Sequence, residues 1–103
     1  MKVLVVDDEL IARHMAAHTL EDAGYEVVAA ANGRAALDVL HESGARIVIS
    51  DWNMPELNGL EFCRLVRSAV TNSYTYLILL TSQNRPEDVV AGLASGADDF
   101  ITK

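Results

Sequence analysis

The sequence predicts an α/β fold in which helices cover both faces of a five-stranded parallel sheet. Short runs rich in Val, Ile and Leu alternate, along 103 residues, with segments whose apolar residues recur at helical spacing. The runs are apolar throughout, which is typical of strands buried on both faces. No long linker or internal repeat interrupts this alternation, so we expect successive strands to be joined through right-handed βαβ units.

The first half of the chain is predicted to contain three strands and two helices. The strands are placed at Val3–Val6, from Glu26 to Ala31, and at Ile47–Ile49. Gly24 and Gly44 are expected to end the two helices, because glycine readily takes the left-handed conformation found after a last helical turn. The residues that recur at helical spacing are Ile11, Met15, Ala16, Thr19, Leu20 and Ala23 in the first helix, and Ala36, Leu37 and Leu40 in the second.

The second half is predicted to contain two more helices and two more strands. A loop that includes Pro55 precedes a third helix carrying Phe62, Cys63 and Val66. The fourth strand is placed at Leu77–Leu80, and the short fifth strand begins at Phe100 and reaches the last residue. The fourth helix between them starts near Pro86, carries Val89, Val90 and Leu93 on one face, and ends at Gly96.

Composition excludes several classes of partner. Fifteen acidic side chains against eight basic ones give a net charge of −7, which repels nucleic-acid phosphates and anionic membranes. No apolar stretch reaches the roughly 20 residues of a membrane span, and the N-terminus lacks a signal-peptide pattern. We therefore expect a cytoplasmic domain without nucleic-acid or membrane contact. The lone Cys63 lies in an apolar helical pattern, so we expect it to be buried and unreactive.

Polar residues cluster where the predicted strands end. Asp7 and Asp8 follow strand one, Asp51 follows strand three, Thr81 follows strand four, and Lys103 ends strand five. Parallel α/β sheets bind ligands beyond these carboxyl ends. Each residue alone has an ordinary explanation: Asp8 could cap the first helix, for example, and Lys103 could be a solvated lysine. Their convergence on one edge of the sheet is what predicts a site.

The residue types at this edge suit a metal and a phosphoryl group. Three carboxylates brought together repel one another unless a cation neutralises them. Oxygen ligands that leave room for waters favour Mg²⁺ over Ca²⁺. Thr81 and Lys103 suit an anion, because a hydroxyl donor and an ammonium group can hold phosphoryl oxygens.

Across essentially its whole length the chain resembles the receiver domain of two-component response regulators. The matching segments are Val5–Glu9, Ile49–Pro55 followed by Asn58-Gly59, Leu80–Ser82 and Gly96–Lys103. The resemblance implies a flavodoxin-like, doubly wound sheet with strand order 2-1-3-4-5. It also implies a signalling switch that catalyses its own phosphorylation and dephosphorylation.

The resemblance further implies an acceptor and a metal site. Asp51 would take a phosphoryl group from a phosphohistidine of a sensor histidine kinase or phosphotransfer protein. Asp8 would bind Mg²⁺ directly and Asp7 mainly through water, while the backbone carbonyl of Asn53 would be another ligand. Glu9 has no implied ligand role.

The same resemblance assigns the switch and its consequences. Thr81 and Lys103 would hold the phosphoryl oxygens, and Phe100 would be the switch aromatic that turns inward when Thr81 moves toward them. Asn53 and Gln83 would modulate hydrolysis of the acyl phosphate. The change would be passed to an output domain or a downstream protein.

The family pattern continues into a fifth helix after the lysine, whereas this chain ends at Lys103. We therefore expect residues 1–103 to be a receiver domain truncated after strand five, with apolar surface exposed beside the first helix and the fifth strand. Such a chain is expected either to form a homodimer through this face or to be less stable than one extended by a helix.

Three other functions compete with this interpretation. A phosphatase of haloacid-dehalogenase type would need a second acid two residues after its nucleophile, a position held by Glu9 after Asp7 or by Asn53 after Asp51. A nucleotide-binding domain would need a glycine-rich loop after the first strand, where this chain is acidic. A receiver-like interaction module that is not phosphorylated would not need all five site residues.

Two further features have ordinary interpretations. His14 and His18 stand four residues apart on the first helix, and we expect them to be exposed rather than metal ligands. Trp52, next to Asp51, is expected to be a partly exposed aromatic in a loop.

Overall fold

The computed structural model describes residues 1–54, 57–68, 74–81 and 85–102. It confirms the predicted α/β fold: five strands form one sheet in the order β2-β1-β3-β4-β5, and every neighbouring pair is parallel. The strands are β1 (Lys2–Val6), β2 (Glu26–Ala30), β3 (Ile47–Asp51), β4 (Tyr76–Thr81) and β5 (Asp99–Thr102). The helices are α1 (Leu10–Asp22), α2 (Gly33–Ser43), α3 (Gly59–Ser68) and α4 (Pro86–Ala94).

The predicted elements differ from the observed ones mainly at their ends. Asp51 and Thr81, which were expected just past their strands, are instead the last residues of β3 and β4. Asp51 pairs with Leu80, and Thr81 pairs with Thr102, so the sheet extends up to these side chains. Each of the glycines expected to end a helix has a positive φ, from 69° to 115°.

The core lies around the central strands. Val3–Val6 of β1 is at most 2% exposed, as expected for a strand buried on both faces. Phe62, Leu77 and Leu79 are among the largest fully buried side chains. Cys63 is buried, as predicted, and this burial raises the pKa of its thiol.

Helix α1 leaves its apolar stripe uncovered. No residue of α1 is buried, and Ile11 and Met15 are 72% and 66% exposed. A groove runs between α1 and the sheet, with lining residues that include Met15, Thr19, Leu20, Ile78, Leu80 and Ile101. The apolar surface expected beside α1 and β5 is therefore present on the described part of the chain.

A polar cluster lies at the edge of the sheet where β4 and β5 begin. It consists of Arg67, Tyr74 and Asp98, and we call it the Arg67 clasp. Nη2 of Arg67 lies 2.6 Å from Oδ2 of Asp98, and the guanidinium stacks 4.5 Å above the Tyr74 ring. Nε of Arg67 donates to the carbonyl oxygen of Gly96 at 2.9 Å, and the backbone N–H of Leu77 donates to Asp98 at 2.8 Å. The clasp thus joins α3 to the starts of β4 and β5.

No helix within the described ranges is long and apolar enough to cross a membrane.

Candidate metal centre at the carboxyl edge of the sheet

Three carboxylates meet where β1 and β3 end. These strands are neighbours, and Val6 pairs with Ser50, which places Asp7 and Asp51 at the same level of the sheet. One carboxylate oxygen from each of Asp7, Asp8 and Asp51 lies within 4.8 Å of the others. The predicted convergence of these acids is therefore present in the structure.

Asp7 and Asp8 have different surroundings. Asp7 is buried; its backbone N–H donates to the carbonyl of Ala30 at 3.2 Å, and its Oδ1 accepts from the backbone N–H of Glu9 at 3.0 Å. Asp8 is exposed, and the residue at the N-cap of α1 is Glu9, which makes no side-chain capping bond. Asp8 does not occupy the N-cap of α1, so the helix-capping explanation for this residue is wrong.

Asp51 is held by the backbone packed around it. Its carbonyl oxygen accepts from the hydroxyl of Ser50 at 3.0 Å, and the N–H of Gly59 donates to the carbonyl of Trp52 at 2.8 Å. A Cβ at Gly59 would lie 2.8 Å from the Asp51 carbonyl oxygen, so α3 can start this close to the strand only because that residue is glycine. Asp51 as a whole residue is only 8% exposed.

Thr81 and two aromatic rings lie on the side of β4 and β5. Thr81 is fully buried at the end of β4. The rings of Trp52 and Phe100 meet edge to face with their centroids 5.6 Å apart. Trp52 is only 7% exposed, so the expectation of a partly exposed loop aromatic is wrong. The error arose because a residue that follows a strand is usually in solvent, whereas here Phe100 packs against it.

Some predicted roles fall outside what the structure describes. Lys103 and Gln83 lie outside the described residues, and their roles stay predictions. Asn53 is exposed two residues after Asp51, and its carbonyl ligation is likewise a prediction. His14 is exposed, His18 lies 3.5 Å from Asp22 in an exposed pair, and neither belongs to the metal-ligating group found among the described residues.

Arg13 is a neighbour of the site that the sequence analysis did not identify. Its Nη1 donates to the backbone carbonyl of Asp7 at 2.9 Å. Because the acceptor is a main-chain oxygen, no pairing of residue types along the sequence would have indicated this contact.

The arrangement fits a hard divalent cation. The cluster brings together three carboxyl groups, and the ligand atoms that it offers are all oxygens. Such a set suits Mg²⁺, which is commonly held by one or two carboxylates together with waters and phosphate oxygens. Two of the three acids are buried and one faces solvent, so an ion could be reached by a phosphoryl group from outside.

Comparison with known proteins identifies the relatives of this chain. The family profile described as the response regulator receiver domain matches residues 3–103. The PhoB phosphate regulon regulator of Klebsiella pneumoniae is 35% identical over 102 residues, which cover 99% of this chain and 44% of that protein. The chemotaxis protein CheY1 of Helicobacter pylori is 36% identical, covering 100% of this chain and 85% of that protein.

Solved structures agree with these relatives. The crystal structure of the chemotaxis protein CheY4 of Vibrio cholerae superposes with a TM-score of 0.93 at 43% identity, covering 99% of this chain and 85% of that one. The chain spans less than half the length of several curated relatives that it matches, including PhoB.

Proposed function

The chain belongs to the response regulator receiver domain family of two-component systems, and from this premise we propose that Asp51 is its phosphoacceptor. The observation that carries the proposal is the meeting of Asp7, Asp8 and Asp51 within 4.8 Å at the carboxyl edge of the sheet. A carboxylate placed among other carboxylates is a poor nucleophile toward an anionic phosphoryl group until the charge is offset. Mg²⁺ bound by Asp7, Asp8 and Asp51, with the backbone carbonyl of Asn53, would offset that charge and orient a phosphoryl oxygen.

The proposed reaction is a phosphoryl transfer followed by hydrolysis. A carboxylate oxygen of Asp51 forms the new O–P bond while the P–N bond of a donor phosphohistidine breaks, and the released imidazole keeps the electron pair and takes a proton. Hydrolysis later returns the carboxylate and inorganic phosphate when water attacks phosphorus. In this proposal Thr81 and Lys103 bind the phosphoryl oxygens, since a hydroxyl and an ammonium group can donate to them.

The proposed switch links Thr81 to Phe100. Thr81 ends β4 beside β5, the strand that carries Phe100, and the Phe100 ring rests against Trp52, next to the acceptor. Movement of the Thr81 hydroxyl toward the phosphoryl group would change the space available to Phe100. The surface near β5 and α4 would then differ between the two states.

Receiver domains of response regulators interact with histidine kinases and with output domains. For this chain we propose a sensor histidine kinase or phosphotransfer protein as the donor, and an output domain or downstream protein as the target. We also propose that the reaction takes place in the cytoplasm, because the chain belongs to this family.

The metal site can be tested by titrating Mg²⁺ while recording the emission of Trp52, the one tryptophan in the sequence. We expect a saturable change, because Trp52 lies between two proposed ligands. Asp8→Asn should weaken binding more than the matched variant Glu9→Gln, which removes a charge one residue further on. Flat emission together with no heat of binding by calorimetry would exclude the metal site.

We also propose that two copies of the chain associate through the groove between α1 and the sheet. Met15 and Ile101 line it and remain 66% and 46% exposed, although apolar surface of this kind is usually covered. Light scattering should show a dimer that Ile101→Lys converts to a monomer. The control Val90→Lys changes a residue on α4 that is 65% exposed and does not line the groove. A wild-type chain that stays monomeric at high concentration would contradict this proposal.

A further inference from the structure

We propose that Arg13 is a positioning residue that holds the turn carrying Asp7 and Asp8 in the geometry that binds Mg²⁺. The inference rests on the proposed metal site. It goes beyond that site because Arg13 is not a ligand: its guanidinium donates to the backbone carbonyl of Asp7 at 2.9 Å from the first turn of α1.

The position of the acceptor explains why this contact matters. The Asp7 carbonyl belongs to the peptide unit that joins Asp7 to Asp8, and a peptide unit is planar. Fixing its oxygen therefore fixes the direction in which the chain enters Asp8. Asp8 is the exposed member of the cluster, and α1 begins directly after Glu9 without a side-chain cap to hold this turn.

A second bond across the turn involves a proposed ligand itself. Oδ1 of Asp7 accepts from the backbone N–H of Glu9 at 3.0 Å. A cation that draws on the Asp7 carboxylate would compete with this bond, whereas the Arg13 contact uses a main-chain oxygen. Arg13 can therefore hold the turn in both the metal-free and the metal-bound state.

The charge of Arg13 has the opposite effect on affinity from its hydrogen bond. A guanidinium near the cluster repels a divalent cation, so loss of the charge alone would tighten Mg²⁺ binding. Loss of the tether would weaken binding, because the ligands would have to be ordered when the ion arrives. The sign of the change in Kd therefore distinguishes a positioning residue from a neighbouring charge.

The experiment measures Mg²⁺ binding to Arg13→Met by Trp52 emission and by calorimetry. Met retains an apolar stem but cannot donate. We expect the Kd to rise about 10-fold, the lower end of the range seen when residues that orient metal ligands are changed. Arg13→Lys should recover part of the affinity, because an ammonium group can donate to the same carbonyl.

Arg64→Met is the matched control. Arg64→Met removes the same charge from an exposed position on α3. The Kd of this variant for Mg²⁺ should stay within twofold of the wild-type value. Mg²⁺ should also raise the Tm of Arg13→Met less than that of wild type, since stabilisation by a ligand follows its affinity. The Tm with Mg²⁺ is compared with the Tm of the same variant without Mg²⁺. A general loss of stability therefore cannot by itself produce the smaller rise in Tm.

Unchanged or tighter Mg²⁺ binding by Arg13→Met, beside normal binding by wild type, would overturn the inference and leave the proposed metal site intact. A wild-type chain that binds no Mg²⁺ would overturn both. A Kd raised equally in Arg13→Met and Arg64→Met would show that the weaker binding does not depend on the contact with the Asp7 carbonyl, and it would also overturn the inference.

Discussion

Replacing Asp98 with Asn should lower the free energy of unfolding by about 2 kcal/mol near neutral pH. The carboxylate of Asp98 is 19% exposed and accepts from Arg67, from the backbone N–H of Leu77 and from the hydroxyl of Tyr74. Hydrogen bonds to a charged group contribute about 1.5–3 kcal/mol, and neutral ones about 0.5–1.5 kcal/mol. Asn retains an acceptor but no charge, so weakening two of these bonds by about 1 kcal/mol each gives the expected loss.

The pH dependence of this loss has a definite sign. Burial alone would raise the pKa of Asp98, but the bonds from Tyr74 and Leu77 and the charge of Arg67 outweigh it and hold the pKa below the usual range. The unfolded chain therefore binds the proton at a higher pH than the folded chain does. The contribution of Asp98 is complete above the ordinary aspartate pKa of about 3.9, and it is lost as the pH falls through the folded value.

The assay is urea unfolding of wild type, Asp98→Asn and Asp99→Asn at several pH values. A loss of about 2 kcal/mol corresponds to a Tm lower by about 8–16 °C in a domain of this size. Asp99 is exposed and accepts from the neighbouring N–H of Phe100, so its replacement should change stability by less than about 0.5 kcal/mol.

Two results would refute this reasoning. The first is an Asp98→Asn variant as stable as Asp99→Asn at neutral pH. The second is a stability difference between wild type and Asp98→Asn that does not shrink as the pH is lowered below 4. An independent check is the pKa of Tyr74, which the bond to Asp98 raises and which should fall in Asp98→Asn by ultraviolet titration.

Other predictions concern packing around the site and the buried thiol. Gly59→Ala should cost about 1–3 kcal/mol by thermal melts and slow phosphorylation, since its Cβ would meet main-chain atoms of Asp51 and Trp52 at 2.8 and 2.9 Å. Gly33→Ala should cost less because its Cβ meets the movable side chain of Leu57, and equal losses would contradict this account. Cys63 should react with iodoacetamide at pH 8 only after unfolding, because burial raises its pKa; rapid alkylation of the folded chain, followed by mass spectrometry, would show otherwise.

The fold and the acidic cluster could be predicted because they follow from regular features of the chain. Apolar runs mark strands buried on both faces, and parallel strands bring their carboxyl ends to one edge. That rule was enough to bring together Asp7, Asp8 and Asp51, which stand more than 40 residues apart at the extremes. The prediction placed Asp51 just past β3, whereas it is the last residue of that strand. The apolar run ends before the pairing of β3 with β4 does.

Contacts that depend on tertiary packing could not be predicted in the same way. The Arg67 clasp joins residues 31 positions apart, and the bond from Arg13 goes to a carbonyl that every residue type carries. The burial of Trp52 depends on a ring from β5. Helix α1 differs from these examples. The periodicity of its apolar residues indicates a buried face, but no residue of the helix is buried among the described residues.

The central claim is tested most directly by locating the phosphoryl group after incubation with acetyl phosphate and Mg²⁺. Reduction with borohydride followed by trypsin separates the candidates, because Asp51 falls in the fragment 47–64 whereas Asp7 and Asp8 fall in the fragment 3–13. We predict one hydroxylamine-labile phosphoryl group, mapped to Asp51 and absent from Asp51→Asn. Label in the fragment 3–13 would instead favour a phosphatase-type nucleophile at Asp7, and equal labelling of wild type and Asp51→Asn would contradict the assignment of the acceptor.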